Sequence, residues 1–271
     1  MVVNKPIKMS WDSYSTQSQT FLAEPKLDGI RIQVVKDDKA RLLRENGVDK
    51  TKQFPELFDQ IKKIPDDTIL DGELCILDQA MPEFVADFQK LQTRSTTNDL
   101  KIKLLSKKIP ATFVAFDILR YEGIDLLNQP LHERKEYLKN IDSLFQLENT
   151  NNLKVIKQYE PLKLKTQIEL LEHAEGIVLK DPNSVYDSKW LKYRKYFESD
   201  LKVAGVTSEK RLISALELEN SKGESVGKVN YTGYPQTNEW KKKVIGMTAV
   251  VEHMQTKDGK VRFPVLKELR V

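Results

Sequence analysis

Glu24-Pro25-Lys26-Leu27-Asp28-Gly29-Ile30-Arg31 sets one lysine two residues after a carboxylate and just before an Asp-Gly turn and an arginine. Strand-like runs flank it, Phe21–Ala23 before and Ile30–Val35 after. A lysine so placed has the chemistry of a covalent nucleophile toward a phosphate. A free lysine has a pKa of about 10.4, so burial or nearby cations must lower it before it attacks. Arg31, Lys180 and Lys192 are the candidate cations. Asp28 is placed to orient the amine or take its proton, and Gly29 to let the backbone turn tightly beside a ligand. The competing reading is a surface lysine beside an Asp-Gly turn, and the octapeptide alone does not separate the two.

The segments that follow do. Leu42-Leu43-Arg44-Glu45-Asn46-Gly47 reads as a strand ending in an Asn-Gly turn, with Arg44 able to hold a phosphate bidentately. Asp71-Gly72-Glu73-Leu74 puts carboxylates at the start of an apolar strand, where they suit a ribose hydroxyl or Mg²⁺. Phe113–Ile118 is an apolar strand whose Phe116 has the shape to stack on a purine or to fill a core. In Glu175-Gly176-Ile177-Val178-Leu179-Lys180, strand alternation puts Glu175 on one face with Ile177 and Leu179, and Lys180 on the other with Gly176 and Val178. Glu175 is a candidate metal ligand. In Trp190-Leu191-Lys192-Tyr193-Arg194-Lys195, Lys192 and Arg194 share a face and can grip one phosphate.

Composition sets the outer bounds. The chain has 271 residues, 39% hydrophobic and 31% charged, enough for two globular cores. No apolar run reaches membrane-span length and the N-terminal residues lack a secretory signal. The single cysteine, Cys75, excludes an internal disulfide, fits a reducing compartment, and lies in an apolar strand as core filler. The net charge of +4 is uneven. Residues 200–271 hold 13 basic and 9 acidic residues, and residues 1–199 hold the remaining 31 of each, so the excess lies in the C-terminal part. That favours a polyanionic partner there. His132, His173 and His253 lack metal-ligand spacing, and there is no Walker A or dinucleotide glycine fingerprint.

Strand patterns fall at 20–25, 29–36, 40–45, 69–77, 111–118, 175–180 and 189–195. Helical stripes run through Phe54, Leu57, Phe58 and Ile61, and through Leu131, Leu138, Ile141 and Phe145. Irregular mixing of the two predicts an α+β domain of antiparallel sheets over 1–199. After a hinge at Phe197-Glu198-Ser199-Asp200, five short strands predict a small all-β barrel of the OB type over 200–271: Leu201–Val206, Leu212–Leu218, Gly227–Tyr231, Thr248–Met254 and Val261–Leu266.

The ordered set of lysine, arginine, carboxylate, aromatic, carboxylate and paired cations resembles the nucleotidyltransferase motifs of ATP-dependent DNA ligases. The likeness runs from Glu24 through Lys195, includes Phe88–Arg94, and resumes at Val261-Arg262-Phe263-Pro264-Val265. The resemblance implies that Lys26 attacks the α-phosphate of ATP to form lysyl-AMP. It puts Glu24 near the adenine, Phe116 stacked on it and Glu73 on the ribose. Arg31 would contact the nucleotide or the nick phosphate, and Arg44 the 5′-phosphate of the nick. Lys180, Lys192 and Arg194 would join the nucleotide site, with Lys192 on the α-phosphate. Glu73 and Glu175 would hold Mg²⁺, or Mn²⁺ in its place, and Arg262 would orient pyrophosphate. The family often has Lys-x-Lys where this chain has Lys192-Tyr193-Arg194, a change that keeps charge but not shape.

Twenty-five residues precede Lys26, as in the minimal ligases of phages, viruses and some bacteria. The expectations are therefore a cytoplasmic monomer, without membrane attachment, acting on nicked double-stranded DNA. Candidates for grip on DNA are Lys101, Lys103, Lys107, Lys108, Lys202, Lys210, Arg211 and Lys241–Lys243. The alternatives are an RNA ligase or capping guanylyltransferase with the same lysine chemistry, and a non-catalytic nucleic-acid-binding OB protein.

Overall fold

The computed structural model describes residues 6–9, 20–77, 85–148, 151–171, 173–187, 190–209, 212–231, 237–255 and 258–270. Of the sequence-based expectations, residue 189 and the DNA-grip candidates Lys210 and Arg211 lie outside the described residues. The chain divides into two compact units, Met1–Arg194 and Lys195–Val271. The division falls before the expected 199/200. Phe197–Asp200 is no hinge, because it opens a long strand and pairs in register with His253 through Val250.

The first unit holds two sheets. One has four strands in the order β1-β10-β9-β2: Ile7–Lys8, Leu191–Arg194, Gly176–Lys180 and Leu22–Lys26. The other runs β4-β3-β5-β6-β7: Ala40–Arg44, Ile30–Lys36, Thr68–Cys75, Thr112–Tyr121 and Ile124–Asp125. β8 (Leu153–Val155) adds to β6. Pairing is antiparallel except for β1 with β10 and β8 with β6. The result is a mixed α/β unit built on antiparallel sheets.

Side chains from both sheets meet in one core, with Ala23, Ile177 and Leu179 of the first against Cys75 and Val114 of the second. The far face of the larger sheet packs under α1 (Pro55–Ile61) and α4 (Leu131–Leu147). Between these two helices lie α2 (Phe88–Arg94) and α3 (Asp99–Lys108). α1 begins with proline at its first position, where a missing N–H costs nothing, and buries Leu57 and Ile61. α4 buries the expected stripe of Leu131, Leu138, Ile141 and Phe145, and with it Arg134 and Lys135. α5 (Pro161–Leu170) starts where the Glu160 carboxylate accepts from the N–H groups of Leu162 and Lys163.

In the second unit one antiparallel sheet has the order β13-β12-β11-β14-β15. These strands are Ser225–Asn230, Leu212–Glu219, Phe197–Glu209, Thr248–Gln255 and Val261–Arg270. The two end strands also approach one another, with Gly227 against Val261. A short helix, α6 (Asn238–Val244), lies between β13 and β14 in sequence. The core is apolar, centred on Val203, Leu216, Val229, Ala249 and Val251. Among the described residues no helix is long and apolar enough to cross a membrane.

Candidate active site

Lys26 ends β2, with Glu24 two residues earlier on the same face. The neighbouring strands continue that face, because Glu24 opposes Val178 and Val178 opposes Lys192, while Lys26 opposes Gly176 and Gly176 opposes Arg194. A cavity of about 170 Å³ opens over it. Every expected nucleotide-binding residue except Arg44 lines this cavity: Glu24, Lys26, Arg31, Glu73, Phe116, Lys180, Lys192 and Arg194. Arg44 sits at the end of β4 opposite Ile32, outside the lining. Two cavities elsewhere in this unit are larger, at about 580 and 880 Å³, but neither contains such a constellation. The chemistry of the walls, not size, marks the site.

The Lys26 ammonium donates to Glu175 Oε2 at 2.7 Å, and Glu175 Oε1 lies 3.3 Å from Arg194 Nε. Glu175 thus faces Lys26, although simple alternation puts it on the opposite face. The reason is Gly176, whose φ of +152° breaks the alternation at the first residue of β9. A Cβ there would lie 2.0 Å from the Tyr193 carbonyl, so the close approach of β10 also requires glycine. Gly29 has a related function. A Cβ on it would meet the Leu74 carbonyl at 2.3 Å, so this glycine lets the turn press against β5 rather than against a ligand. Asp28, in that turn, adds negative charge beside Glu73 and Glu175.

Burial pushes the Glu73 carboxyl up to about 8, with the charge of Glu175 adding to the effect and those of Lys26 and Arg31 opposing it. Burial also raises Glu175, against the pull of Lys26. Lys192 is shifted down, first by burial and then by the charges of Arg194 and Lys26.

The other cations expected to act on Lys26 carry carboxylates of their own. Arg31 forks onto Asp71, with Nη2 to Oδ2 at 2.6 Å and Nε to Oδ1 at 3.1 Å. Tyr186 donates to the same Oδ2 at 2.5 Å. The Arg31 guanidinium lies over the rings of Phe116 and Trp190, at 5.3 and 5.4 Å from their centroids. Burial disfavours its charge, but Asp71 outweighs that and raises it. Lys180 donates to Glu24 Oε2 at 2.6 Å, and burial pushes its ammonium down to about 8. Lys192 is therefore the expected cation whose field falls on Lys26.

Trp190, Tyr186 and Lys135 had no assigned part in the sequence reading, and Asp71, read there as a carboxylate for a ribose or a metal, is taken up by Arg31 and Tyr186. Trp190 and Tyr186 stand near a recognisable motif, while Lys135 looks like one more charge on a helix. Arg94 is fully buried, its Nη2 donating to Glu56 Oε1 at 2.6 Å, so this part of the Phe88–Arg94 segment ties α2 to α1. Arg262 lies on β15 in the second unit with its guanidinium 4.8 Å from the Phe263 ring centroid. Lys101, Lys103, Lys107 and Lys108 stud α3.

The site therefore joins an amine backed by a carboxylate, two flanking cations and an aromatic ring in one cavity, the set of groups that covalent transfer of a nucleotide through lysine calls for. The chain belongs to the ATP-dependent DNA ligase domain family, whose pattern matches residues 5–195. It is 26% identical to the SPbeta prophage-derived DNA ligase-like protein LigB of Bacillus subtilis, over 93% of this chain and 94% of that protein. It is 32% identical to a probable DNA ligase of Aquifex aeolicus over 66% of this chain, but that match spans 32% of the longer relative. A solved structure of a Lig E DNA ligase superposes over the full length of both chains, with a TM-score of 0.70 at 20% identity, a likeness of fold.

Proposed function

We propose that this protein seals nicks between a 5′-phosphate and a 3′-hydroxyl in duplex DNA, using ATP and a covalent lysyl-AMP on Lys26. The observation that carries the proposal is the Lys26 ammonium inside a cavity with Lys192, Arg194 and Phe116. In the first step Lys26 Nζ, after giving up a proton, bonds to the α-phosphorus, and the bond to the bridging oxygen breaks as pyrophosphate leaves. Glu175, already at 2.7 Å, is the base on hand for that proton. Lys192 and Arg194 meet the charge that builds on the phosphate oxygens. Phe116 offers its ring to the base. In the second step the 5′-phosphate of the nick takes the AMP. In the third the 3′-hydroxyl attacks that phosphate and AMP departs.

A divalent cation such as Mg²⁺ fits this site. Glu73 and Glu175 supply hard oxygen ligands, and both carboxyls are raised by burial, with the charges of Glu175 and Asp28 adding to the shift of Glu73 and that of Asp28 to the shift of Glu175, a strain that a bound cation relieves. When bound there it would neutralise phosphate charge. We assign the second unit to the OB class. Its strand order, with β13 also against β15, and the helix between β13 and β14 support that assignment. Arg262 and the lysines of α3 and α6 are the proposed phosphate contacts, and a cytoplasmic monomer the proposed working form. Sealing of a 5′-phosphorylated nicked duplex with ATP and Mg²⁺, read on a denaturing gel, tests the proposal. A joined strand is expected. A labelled protein that joins broken RNA but not DNA would move the substrate.

A further inference from the structure

Lys135 does not line the nucleotide cavity, yet its ammonium is one of two that grip a carboxylate in the cavity wall. It reaches in from α4. Its Nζ donates to Glu24 Oε1 and, at 2.8 Å, to the backbone carbonyl of Phe116. Lys180 donates to Glu24 Oε2 at 2.6 Å and to the same carbonyl at 3.2 Å. One buried knot of two ammoniums thus fixes both the carboxylate and the strand that carries the aromatic ring.

The cavity has two chemically different ends. At Lys26 stand Glu175, Lys192 and Arg194, suited to phosphate. Beside Glu24 stand Val178, its register partner on β9, and Phe116, whose carbonyl shares both ammoniums with it, suited to a flat heterocycle. Glu24 and Lys26 are two residues apart on a strand, about 6.7 Å. Burial alone would push Glu24 toward its neutral form. The charges and hydrogen bonds of Lys135 and Lys180 reverse that and hold it below the usual carboxylate range. Lys180 is a weak guarantor by itself, because burial, helped by the charge of Lys135, brings it down to about 8 against the pull of Glu24. An ionised carboxylate only accepts hydrogen bonds, so the ligand edge that faces it must donate.

We infer that Lys135 is a positioning and specificity residue: by holding Glu24 fixed and ionised, it makes the base end of the cavity select a purine bearing an amino group and reject one bearing an oxygen at the same place. This rests on the proposal that Lys26 takes a nucleotide in this cavity. Discrimination built on a site's own polar group is strong, because the wrong ligand leaves that group facing a like partner.

The test compares labelling of Lys26 from α-labelled ATP and α-labelled ITP, which differ at the 6-position of the purine. The wild type prefers ATP. Lys135→Met lowers that preference about tenfold or more, chiefly through KM. Its KM for ATP also climbs toward acid pH more steeply than that of the wild type, because Glu24 has lost a charge and a hydrogen bond that hold it ionised. Lys135→Arg restores both. Should Lys135→Met fail to fold, Lys135→Gln, which keeps a donor but not the charge, carries the same expectation. An unchanged preference, or equal loss of labelling with both nucleotides and no change of pH profile, overturns the specificity role. Absence of label from both nucleotides on the wild type removes the nucleotide reading of Lys26 and the role of Lys135 with it.

Discussion

The two units bury charge in opposite ways. Among the described residues the first unit hides Glu24, Asp71, Asp87, Asp117, Arg94, Arg134, Lys135, Glu175 and Lys180, each in an ion pair with another side chain, while the second hides no Lys, Arg, Asp or Glu, its buried polar residue being His253. The second unit folds around a conventional apolar core with its ion pairs outside, such as Lys228 with Glu217. Paired burial in the first unit is an expensive way to fill a core, and apolar residues of similar volume would often do as well or better for stability. What it supplies is groups whose positions are fixed before a ligand arrives, the condition for electrostatic catalysis. The contrast supports the proposal that the chemistry lies in the first unit.

The largest effect should come from the nucleophile. Lys26→Ala should cut transfer of label from α-labelled ATP by about 10⁴-fold or more while leaving the fold in place, because Glu175 keeps Arg194 as partner. Next comes the buried fork. Asp71→Ala strands the Arg31 charge and the Tyr186 hydroxyl and should cost about 3–5 kcal/mol in urea unfolding. A cost under about 1 kcal/mol would mean that water reaches Arg31, and the contrast between the units would soften.

A third prediction concerns pH. The Glu73 carboxyl sits at about 8 in the folded protein against about 4.5 free, so between these values the folded state keeps a proton that the unfolded chain has released. Its contribution is complete below about pH 4.5 and is lost as pH rises through about 8. Without nucleotide or metal, stability should therefore fall across that window, and Glu73→Gln should flatten the fall by about 2 kcal/mol, a figure reduced because the side chain borders the cavity. The smallest effect belongs to the second unit, where Lys228→Ala should change stability by about 0.2–1 kcal/mol, read from the same urea curves.

Much of this arrangement was legible in the sequence, for identifiable reasons. The strands around Lys26 and the five of the second unit show in runs of apolar and β-branched residues, and the stripe of α4 shows in its spacing. The residues that meet in the cavity were legible because each sits in a short motif of unusual composition. What escaped depends on partners distant in the chain. Lys135 lies 111 positions from Glu24, and on a helix with Glu133, Glu136 and Lys139 it reads as solvent-facing. Glu175 was placed on the wrong face because alternation takes no account of a glycine at positive φ. Arg31 and Lys180 read as cations waiting for Lys26, since nothing local announces that Asp71 and Glu24 hold them. α2, α3 and α5 are short, and β8 is three residues long and forms only against β6. The hinge at Phe197 was misplaced because a change in composition does not mark where one strand begins.

The most direct test is to incubate the protein with ATP and Mg²⁺ and locate the added adenylate by peptide mass mapping. The account predicts one adenylate per chain, on Lys26, absent from Lys26→Ala and discharged by nicked duplex DNA. An adenylate on another lysine, or none under conditions in which the protein joins a nick, would contradict it.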